Sequence, residues 1–423
     1  MDGRGQKVVI VGQGYVGLPV AMRAVEVGYD VVGYETDGLR AKLLATGESY
    51  VEDVPGPMLA GATASGRYLP TDDTSALADF DVAVITVPTP LSEGNPDLSF
   101  IEQAAATLAP HLGPGATVIL ESTTYPGTTE ELVGPALEEG SGLTAGTDFR
   151  LGYSPERIDP GNPVWGLVNT PKVVSGIDAE SLDAVQGFYD GLIDETVAVS
   201  DVKVAETVKL LENTFRHINI ALVNELAMFA GEMGIDIWEA IAAASTKPFG
   251  FMPFTPGPGV GGHCLPIDPS YLSWRVRRTL GQPFRFVELA NDINDHMPDY
   301  VVRRLTIALN RQRQAVNGSR VLLLGLAYKR NTGDARESPA LAVAERLANL
   351  GAEVRAADPH VGDSPSGSRV CRVEATDAEL SAADAVIVLT DHEEFDYKAV
   401  VDRCRLVLDT RHCLPAAPNV EWL

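Results

Sequence analysis

The run Lys7-Val8-Val9-Ile10-Val11, followed without a break by Gly12-Gln13-Gly14-Tyr15-Val16-Gly17, constrains the fold more than any other stretch of this chain. A continuous β-branched run is the pattern of a strand buried on both faces, as in parallel sheets covered by helices. A helical pattern continues to about Val27. A second strand, Asp30-Val31-Val32-Gly33-Tyr34, then ends at Glu35, 18 residues after Gly17. GxGxxG alone is a weak signal; between a strand and a helix, with an acid at that distance, it specifies a dinucleotide-binding βαβ unit. Gly12 permits the tight turn, Gly14 lets the backbone approach a pyrophosphate, and Gly17 lets the helix pack on the strand. Glu35 suits the ribose hydroxyls and repels a 2′-phosphate, so the expected cofactor is NAD rather than NADP.

The α/β rhythm continues. A strand over Asp81–Val87 ends in Pro88-Thr89-Pro90, and one over Ala116–Leu120 ends in Glu121-Ser122-Thr123-Thr124-Tyr125-Pro126-Gly127-Thr128. Ligands of open parallel sheets bind beyond the carboxyl ends of strands, which puts Pro88 to Pro90 and Ser122 to Thr128 around the nicotinamide end of a cofactor. Hydroxyl-rich strand ends are also ordinary turn chemistry. Phe149–Tyr153 leads into Ser154-Pro155-Glu156-Arg157, where Glu156 reads either as a general base for water or as a solvated loop acid.

Ser319-Arg320-Val321-Leu322-Leu323-Leu324-Gly325 opens a second buried sheet, but Leu326-Ala327-Tyr328-Lys329 replaces the glycine fingerprint. A helix (Pro339–Leu350) and strands at Ala352–Ala356, Ala385–Leu389 and Leu406–Leu408 complete another doubly wound half. Lys329, Arg330 and Arg336 cluster after its first strand, where a phosphate ligand would sit. Between the halves, Val202 to about Gly231 reads as one helix about 45 Å long. Val204, Val208, Leu211, Phe215, Ile218 and Leu222 form its apolar stripe, for which a dimer interface is one use. Glu206, Lys209, Asn213 and Arg216 form another row, either a solvated face or one that turns Lys209 and Asn213 into a cleft. The expected fold is α/β: two Rossmann-like doubly wound domains (1–199 and 314–423) joined by the long helix and a helical dimerisation region (200–313).

With 423 residues, two or three domains are expected. A hydrophobic content of 45% with 22% charged residues is that of a soluble globular protein. No apolar run is long enough to span a bilayer. The polar start, Met1 to Lys7, predicts no signal peptide. Four cysteines without a CxxC argue against disulfides and zinc and for a reducing cytoplasm. A net charge of −25 argues against nucleic-acid and membrane partners.

The remaining chemistry lies in Gly257-Pro258-Gly259-Val260-Gly261-Gly262-His263-Cys264-Leu265-Pro266-Ile267-Asp268. If Asp268 lies in the first turns of a helix opening near Pro266, Cys264 sits at its amino end, where backbone N–H groups and the dipole favour a thiolate. A glycine-rich approach, a nucleophile and a nearby proton acceptor make a covalent site. A tight loop around a structural cysteine is the alternative.

Together these motifs resemble the UDP-glucose/GDP-mannose dehydrogenase family, the nucleotide-sugar 6-dehydrogenases, over nearly the whole length. The resemblance rests on Gly12–Gly17, the Thr-Tyr-Pro-Gly-Thr turn, Ser154-Pro155-Glu156, Ala205-Glu206 to Asn213, Gly257–Asp268, and Gly325–Lys329 through Asp334–Ser338. It implies two successive hydride transfers to NAD, turning a sugar's primary alcohol into a carboxylate. By position, Cys264 resembles the thioester nucleophile, Lys209 the oxyanion-steadying lysine beside Asn213, and Asp268 the acid working with that lysine. Glu156 and Thr123 match a hydrolysis-assisting pair. The resemblance also implies cofactor contacts at Tyr15, Val16, Arg40 and Arg336. It implies substrate contacts at Arg157, Arg216, His217, Phe254, Gly259, Gly261, Tyr328 and Lys329, with Arg216 able to reach a neighbouring subunit's substrate.

Three departures bear on the sugar. UDP-glucose enzymes of the family usually read Gly-Gly-x-Cys-Phe-Pro-Lys-Asp, whereas here Ile267 stands at the lysine. Pro160 stands where they often carry a second glutamate, and His263 precedes the cysteine. These features resemble the branch acting on UDP-N-acetylhexosamines, with UDP-N-acetylglucosamine the first expectation and UDP-N-acetylmannosamine the second. UDP-glucose oxidation, or a binding protein that has lost the reaction, are the alternatives; retention of Cys264, Lys209, Asn213 and Asp268 argues against the last.

Overall fold

The computed structural model describes residues 5–92, 94–158, 162, 164–262, 265–362 and 369–423. The chain divides into two compact units, residues 1–212 with 270–281, and residues 213–269 with 282–423.

The first unit is built on an eight-stranded sheet. Its strands are β1 (Lys7–Val11), β2 (Asp30–Tyr34), β3 (Tyr68–Thr71), β4 (Val82–Ile85), β7 (Thr117–Leu120), β8 (Arg150–Tyr153), β9 (Lys172–Gly176) and β10 (Thr196–Ala198); a hairpin, β5 (Leu91–Ser92) with β6 (Asn95–Pro96), lies apart from it. The order is β10-β9-β8-β7-β4-β1-β2-β3. All neighbours are parallel except β8 and β9, which run antiparallel. The order reverses between β1 and β4, the switch point at which such sheets bind ligands. Strict alternation explains the continuous apolar runs. Val9, Val11, Ala83, Ile85, Val118 and Leu120 feed one core, and Val8, Ile10, Val82, Val84 and Ile119 feed the other.

The second unit contains a six-stranded parallel sheet. Its strands are β11 (Arg320–Leu324), β12 (Glu353–Ala357), β13 (Cys371–Arg372), β14 (Ala385–Val388), β15 (Val407–Asp409) and β16 (Val420–Trp422), in the order β13-β12-β11-β14-β15-β16. Here too alternate residues serve two cores, Val321 and Leu323 on one face, Leu322 and Leu324 on the other.

The expected long helix runs Val202–Met233. Its first turns belong to the core of the first unit through Val202 and Ala205. The apolar stripe is largely exposed on this chain: Val204, Leu211, Phe215 and Leu222 are 44 to 63% accessible. The polar row differs from a solvated face, because Glu206 and Lys209 are buried. A second long helix, Arg285–Arg311, packs its Met297, Val301 and Leu305 into the core of the second unit. Among the described residues, no helix is long and apolar enough to cross a membrane.

Candidate active site

The dinucleotide turn has the geometry its spacing predicts. Gly12 adopts φ +92°, and its N–H donates to Tyr34 O at 2.9 Å. A Cβ on Gly17 would stand 1.9 Å from Gly12 O, so helix and strand touch there, whereas a Cβ on Gly14 would meet nothing within 4 Å. Gly14 therefore presents bare backbone to the side a pyrophosphate approaches, and the residues fit NAD. Tyr15 is exposed and Val16 half-buried at the same turn. Glu35 is buried and preset, accepting from Gln13 N at 3.2 Å and Asp37 N at 3.1 Å. Arg40 lies over the Tyr50 ring at 5.2 Å, close to this acid in sequence. Tyr50 in turn donates to Gln13 O at 2.8 Å, which ties the turn to the segment after β2.

Beyond β4, Pro88 is exposed and Thr89 half-buried, and Tyr271 donates to Pro90 O at 3.3 Å. Beyond β7, Thr123 is half-buried in a turn closed by Thr124 Oγ1, which donates to Thr128 Oγ1 at 2.5 Å. Tyr125 stacks at a tilt on Trp274, with centroids 5.2 Å apart, and Arg275 lies over its ring. The helix Asp268–Leu280 thus fixes both strand ends, and it begins two residues after the opening expected near Pro266, with Asp268 in its first turn.

Glu206, unassigned in the sequence reading, is the anchor of that turn. It accepts from Gly127 N (2.5 Å), Thr129 N (2.9 Å) and Thr129 Oγ1 (2.7 Å). A carboxylate 77 residues away thus supplies an acceptor for amides at the start of the next helical segment. Burial pushes its carboxyl up to about 7 against the pull of these hydrogen bonds.

Beyond β8, Glu156 Oε1 accepts from Arg157 N and Ile158 N, both at 2.6 Å. Arg157 forks onto Glu212 (2.6 and 3.0 Å) and donates to Pro171 O. Lys209, one turn after Glu206 on the long helix, donates to Glu156 O at 2.5 Å. Two buried groups outside the predicted set stand behind Glu156. Lys172, at the start of β9, pairs with Glu121, at the end of β7. Their signal was local: single charges abutting the apolar runs Val118–Leu120 and Val173–Val174.

In the second unit, Asn213 Nδ2 donates to Asp268 Oδ2 at 2.5 Å, and Asp268 is buried. His217 is buried, with Nε2 2.7 Å from Asn291 Oδ1; burial holds its pKa below the usual value, so it is neutral at pH 7. Phe254 packs edge-on against Phe215 with centroids 5.8 Å apart, and Arg216 is exposed.

The glycine loop is seated on the turn that follows β11. A Cβ on Gly261 would stand 2.7 Å from Tyr328 Cβ and 2.8 Å from Glu337 O. Gly262, at φ +90°, would bring one to 2.9 Å from the Tyr328 ring, and its N–H donates to Arg336 O at 3.1 Å. Gly259, at φ +132°, would meet Asn294 O and Pro339. The glycines are thus required by contact as well as by conformation. Behind Gly257 lies the half-buried Arg411, whose Nε donates to Leu389 O at 2.7 Å. No sequence signal had singled it out. His263, Cys264 and Pro160 lie outside the described residues.

Of the basic cluster, Arg330 pairs with Glu393 at 3.1 Å and Arg336 with Asp334 at 2.6 Å, while Lys329 is half-buried. Asp358, past the end of β12, accepts from Leu326 N (2.6 Å) and Ala327 N (2.9 Å). A carboxylate occupies the amides that in a dinucleotide turn would face phosphate. Among the described residues, His360, His392 and Glu394 bring possible metal ligands within 4.8 Å. Both ring nitrogens of His392 are engaged, Nδ1 by Asn331 N and Nε2 by Asp358, which leaves it none to give.

Known proteins agree with this architecture. Residues 6–193 match the NAD-binding domain of the UDP-glucose/GDP-mannose dehydrogenase family, 203–296 its central domain, and 322–416 its UDP-binding domain. A UDP-N-acetyl-D-mannosamine dehydrogenase of Pyrococcus horikoshii is 36% identical over 97% of each chain. A UDP-N-acetyl-D-glucosamine 6-dehydrogenase of Pseudomonas aeruginosa is 38% identical over 92% of this chain and 91% of its own. A solved UDP-D-ManNAc dehydrogenase structure from Pyrococcus horikoshii superposes with a TM-score of 0.90 at 34% identity, covering 99% of both chains. The chain belongs to the UDP-glucose/GDP-mannose dehydrogenase family and is an NAD-dependent nucleotide-sugar 6-dehydrogenase.

Proposed function

We propose that the chain oxidises the 6-hydroxymethyl group of a UDP-N-acetylhexosamine to the uronic acid, with UDP-N-acetylglucosamine the first choice and UDP-N-acetylmannosamine the second. The observation that carries this reading is the seating of the Gly257–Gly262 loop on Tyr328 and Pro339. Room for no side chain there holds the approach to Cys264 against the UDP-binding domain. Ile267, Pro160 and His263, together with relatives named for N-acetylated sugars, support the choice of sugar.

NAD, when bound, accepts a hydride in each of two rounds. The chain's own groups do the rest. Asp268, held by Asn213, takes the alcohol proton. Cys264 adds to the aldehyde, and the thiohemiacetal loses the second hydride to leave a thioester. Lys209 steadies the oxyanion, and Glu156 with Thr123 directs water to the thioester carbonyl. In sum, one alcohol, two NAD and one water give a carboxylate, two NADH and three protons. Tyr328, Lys329, Phe254 and His217 line the sugar-nucleotide side in this reading. Arg336, Arg40 and Glu35 serve the cofactor.

The exposed line of Val204, Leu211, Phe215, Leu222 and Leu226 on the long helix repeats at intervals of seven and four, the pattern of a helix meeting a copy of itself, so a homodimer is part of the reading. The free cysteines Cys371, Cys404 and Cys413 agree with a cytoplasmic setting.

Initial rates of NADH formation with UDP-N-acetylglucosamine, UDP-N-acetylmannosamine, UDP-glucose and GDP-mannose test the substrate. An N-acetylhexosamine should lead in kcat/KM by at least about tenfold, roughly what one well-made pocket contact provides. A lead for UDP-glucose would overturn the choice of sugar and leave the chemistry standing.

A further inference from the structure

Three charged side chains meet behind the base assigned above, and only one of them belongs to that reading. Glu121 leaves the end of β7, Lys172 opens β9, and Glu156 follows β8, so neighbouring strands bring them together. The Glu121 and Lys172 side chains are 0 and 5% exposed, and Glu156 is 13% exposed. Lys172 Nζ pairs with Glu121 Oε1, stands 3.5 Å from Glu156 Oε2 and donates to Pro155 O at 3.3 Å. Tyr189, from the helix Ala179–Asp190, donates to Glu121 Oε2 at 2.7 Å, and its ring lies 4.9 Å from the ammonium. Lys209 reaches the same residue from the long helix through the Glu156 carbonyl, and Arg157 beside it is spent on Glu212.

The two oxygens of Glu156 are therefore not equivalent. Oε1 is saturated by two backbone amides, while buried Oε2 finds no hydrogen-bond partner among the described residues and faces the ammonium. Of the two carboxyls in this dry place, Glu156 draws on both the Lys172 and the Lys209 ammonium, whereas Glu121 leans on Lys172. The proton that the cluster retains therefore falls on Glu121. Burial pushes its carboxyl up to about 7, against the pull of Lys172 and with the Glu156 charge adding to the rise. Burial acts upward on Glu156 also, but Lys172 and Lys209 more than offset it and hold that carboxyl below its usual value. Lys172 stays charged because its two carboxylates outweigh its own burial.

We propose that Lys172 and Glu121 form a charge-regulating pair that keeps Glu156 ionised and in place as the base for the water that releases the product. Lys172 acts here as a positioning residue, and Glu121 holds the surplus proton. The inference rests on the assignment of Glu156 to thioester hydrolysis. In that step the water oxygen bonds to the thioester carbonyl carbon as one of its protons passes to Glu156. The C–S bond breaks with its electron pair returning to the Cys264 sulfur as thiolate, the second water proton passes to solvent as the acid ionises, and the carboxylate leaves. No oxidant or reductant enters.

The test is stopped-flow NADH formation with the preferred sugar nucleotide, followed by steady-state rates from pH 4 to 9. Glu156→Gln should show a burst of about two NADH per site and then a rate reduced by about 100-fold or more, as for loss of a general base. Lys172→Met should give the same burst and a similar loss, with the acid limb of its pH profile moved upward by about one unit or more. Lys172→Arg should recover most of the rate. Glu121→Gln, which nearly preserves volume and reproduces the protonated carboxyl, should fold, keep the burst and leave the acid limb in place, so the inference stays falsifiable even if Lys172→Met does not fold. A Lys172→Met enzyme with the wild-type rate and profile would overturn the proposal. So would equal loss of burst and steady state, the mark of a purely structural role. An acid limb raised in Glu121→Gln as far as in Lys172→Met would overturn it as well. If Glu156→Gln itself gives no burst, the assignment of Glu156 fails and the inference falls with it. If Glu156→Gln bursts and Lys172→Met does not, only the inference fails.

Discussion

Removing the Glu206 carboxylate should open the turn that carries Thr123. The buried side chain accepts from Gly127 N, Thr129 N and Thr129 Oγ1 at 2.5 to 2.9 Å. Glu206→Ala would leave two backbone N–H groups and a hydroxyl without their acceptor. Each buried donor so orphaned costs about 1–3 kcal/mol, and water entering the vacated space returns part of it. A net cost of about 2–4 kcal/mol on local opening is a reasonable sum. At about 1.36 kcal/mol per factor of ten, the Gly127 and Thr129 amides should exchange about 30-fold to 1,000-fold faster. Hydrogen exchange read by mass spectrometry on a peptide spanning residues 123–133 measures this. Glu206→Gln should fall between, because its carbonyl can still serve Thr129 while its amide group faces the Gly127 N–H. Unchanged exchange in Glu206→Ala would refute the reasoning, since the turn would then be held by Tyr125, Trp274 and Thr124 alone.

Further outcomes follow from the same contacts. Gly17→Ala should abolish measurable NAD binding by calorimetry, because its Cβ would stand 1.9 Å from Gly12 O and move the turn; retention of wild-type affinity would contradict the assignment of that turn. Gly262→Ala should reduce kcat/KM by about 100-fold or more while NAD affinity stays near wild type, since the added methyl meets the Tyr328 ring at 2.9 Å from a backbone at φ +90°. The Glu206 carboxyl, raised by burial from its ordinary 4.5 to about 7, contributes stability that is fully present below pH 4.5 and lost as pH rises through 7, a change of about 3 kcal/mol. The stability of wild type relative to Glu206→Gln, from urea denaturation, should therefore fall between pH 5 and 8; a constant difference would sink this account.

Much of the scaffold was legible because its signals are local. A β-branched run needs only the pleat to place Val8 and Ile10 on one face and Val9 and Val11 on the other. The glycines at 12, 14 and 17 announced a tight turn, an open backbone and a close helix contact, and Asp268 lies in the first turn of a helix as its spacing suggested. The Gly257–Gly262 loop was legible as a tight approach, but what it approaches was not. Tyr328 lies some 70 residues on, and only the fold brings it there. The row on the long helix failed for a related reason. Helical periodicity puts Glu206 and Lys209 on one face, yet it cannot say that orphan amides from the turn after β7, and a carbonyl after β8, cover that face. Glu121 and Lys172 were missed because each alone reads as a strand-end charge. Their pairing depends on the strand order β9-β8-β7, which no local pattern encodes.

The central claim is a four-electron oxidation that passes through Cys264, and counting NADH against sugar tests it most directly. With the preferred UDP-sugar limiting and NAD in excess, the account predicts two NADH per sugar and a uronic acid as the only sugar product. The Cys264→Ser protein should make no acid. One NADH per sugar, with an aldehyde or ketone accumulating, would contradict it.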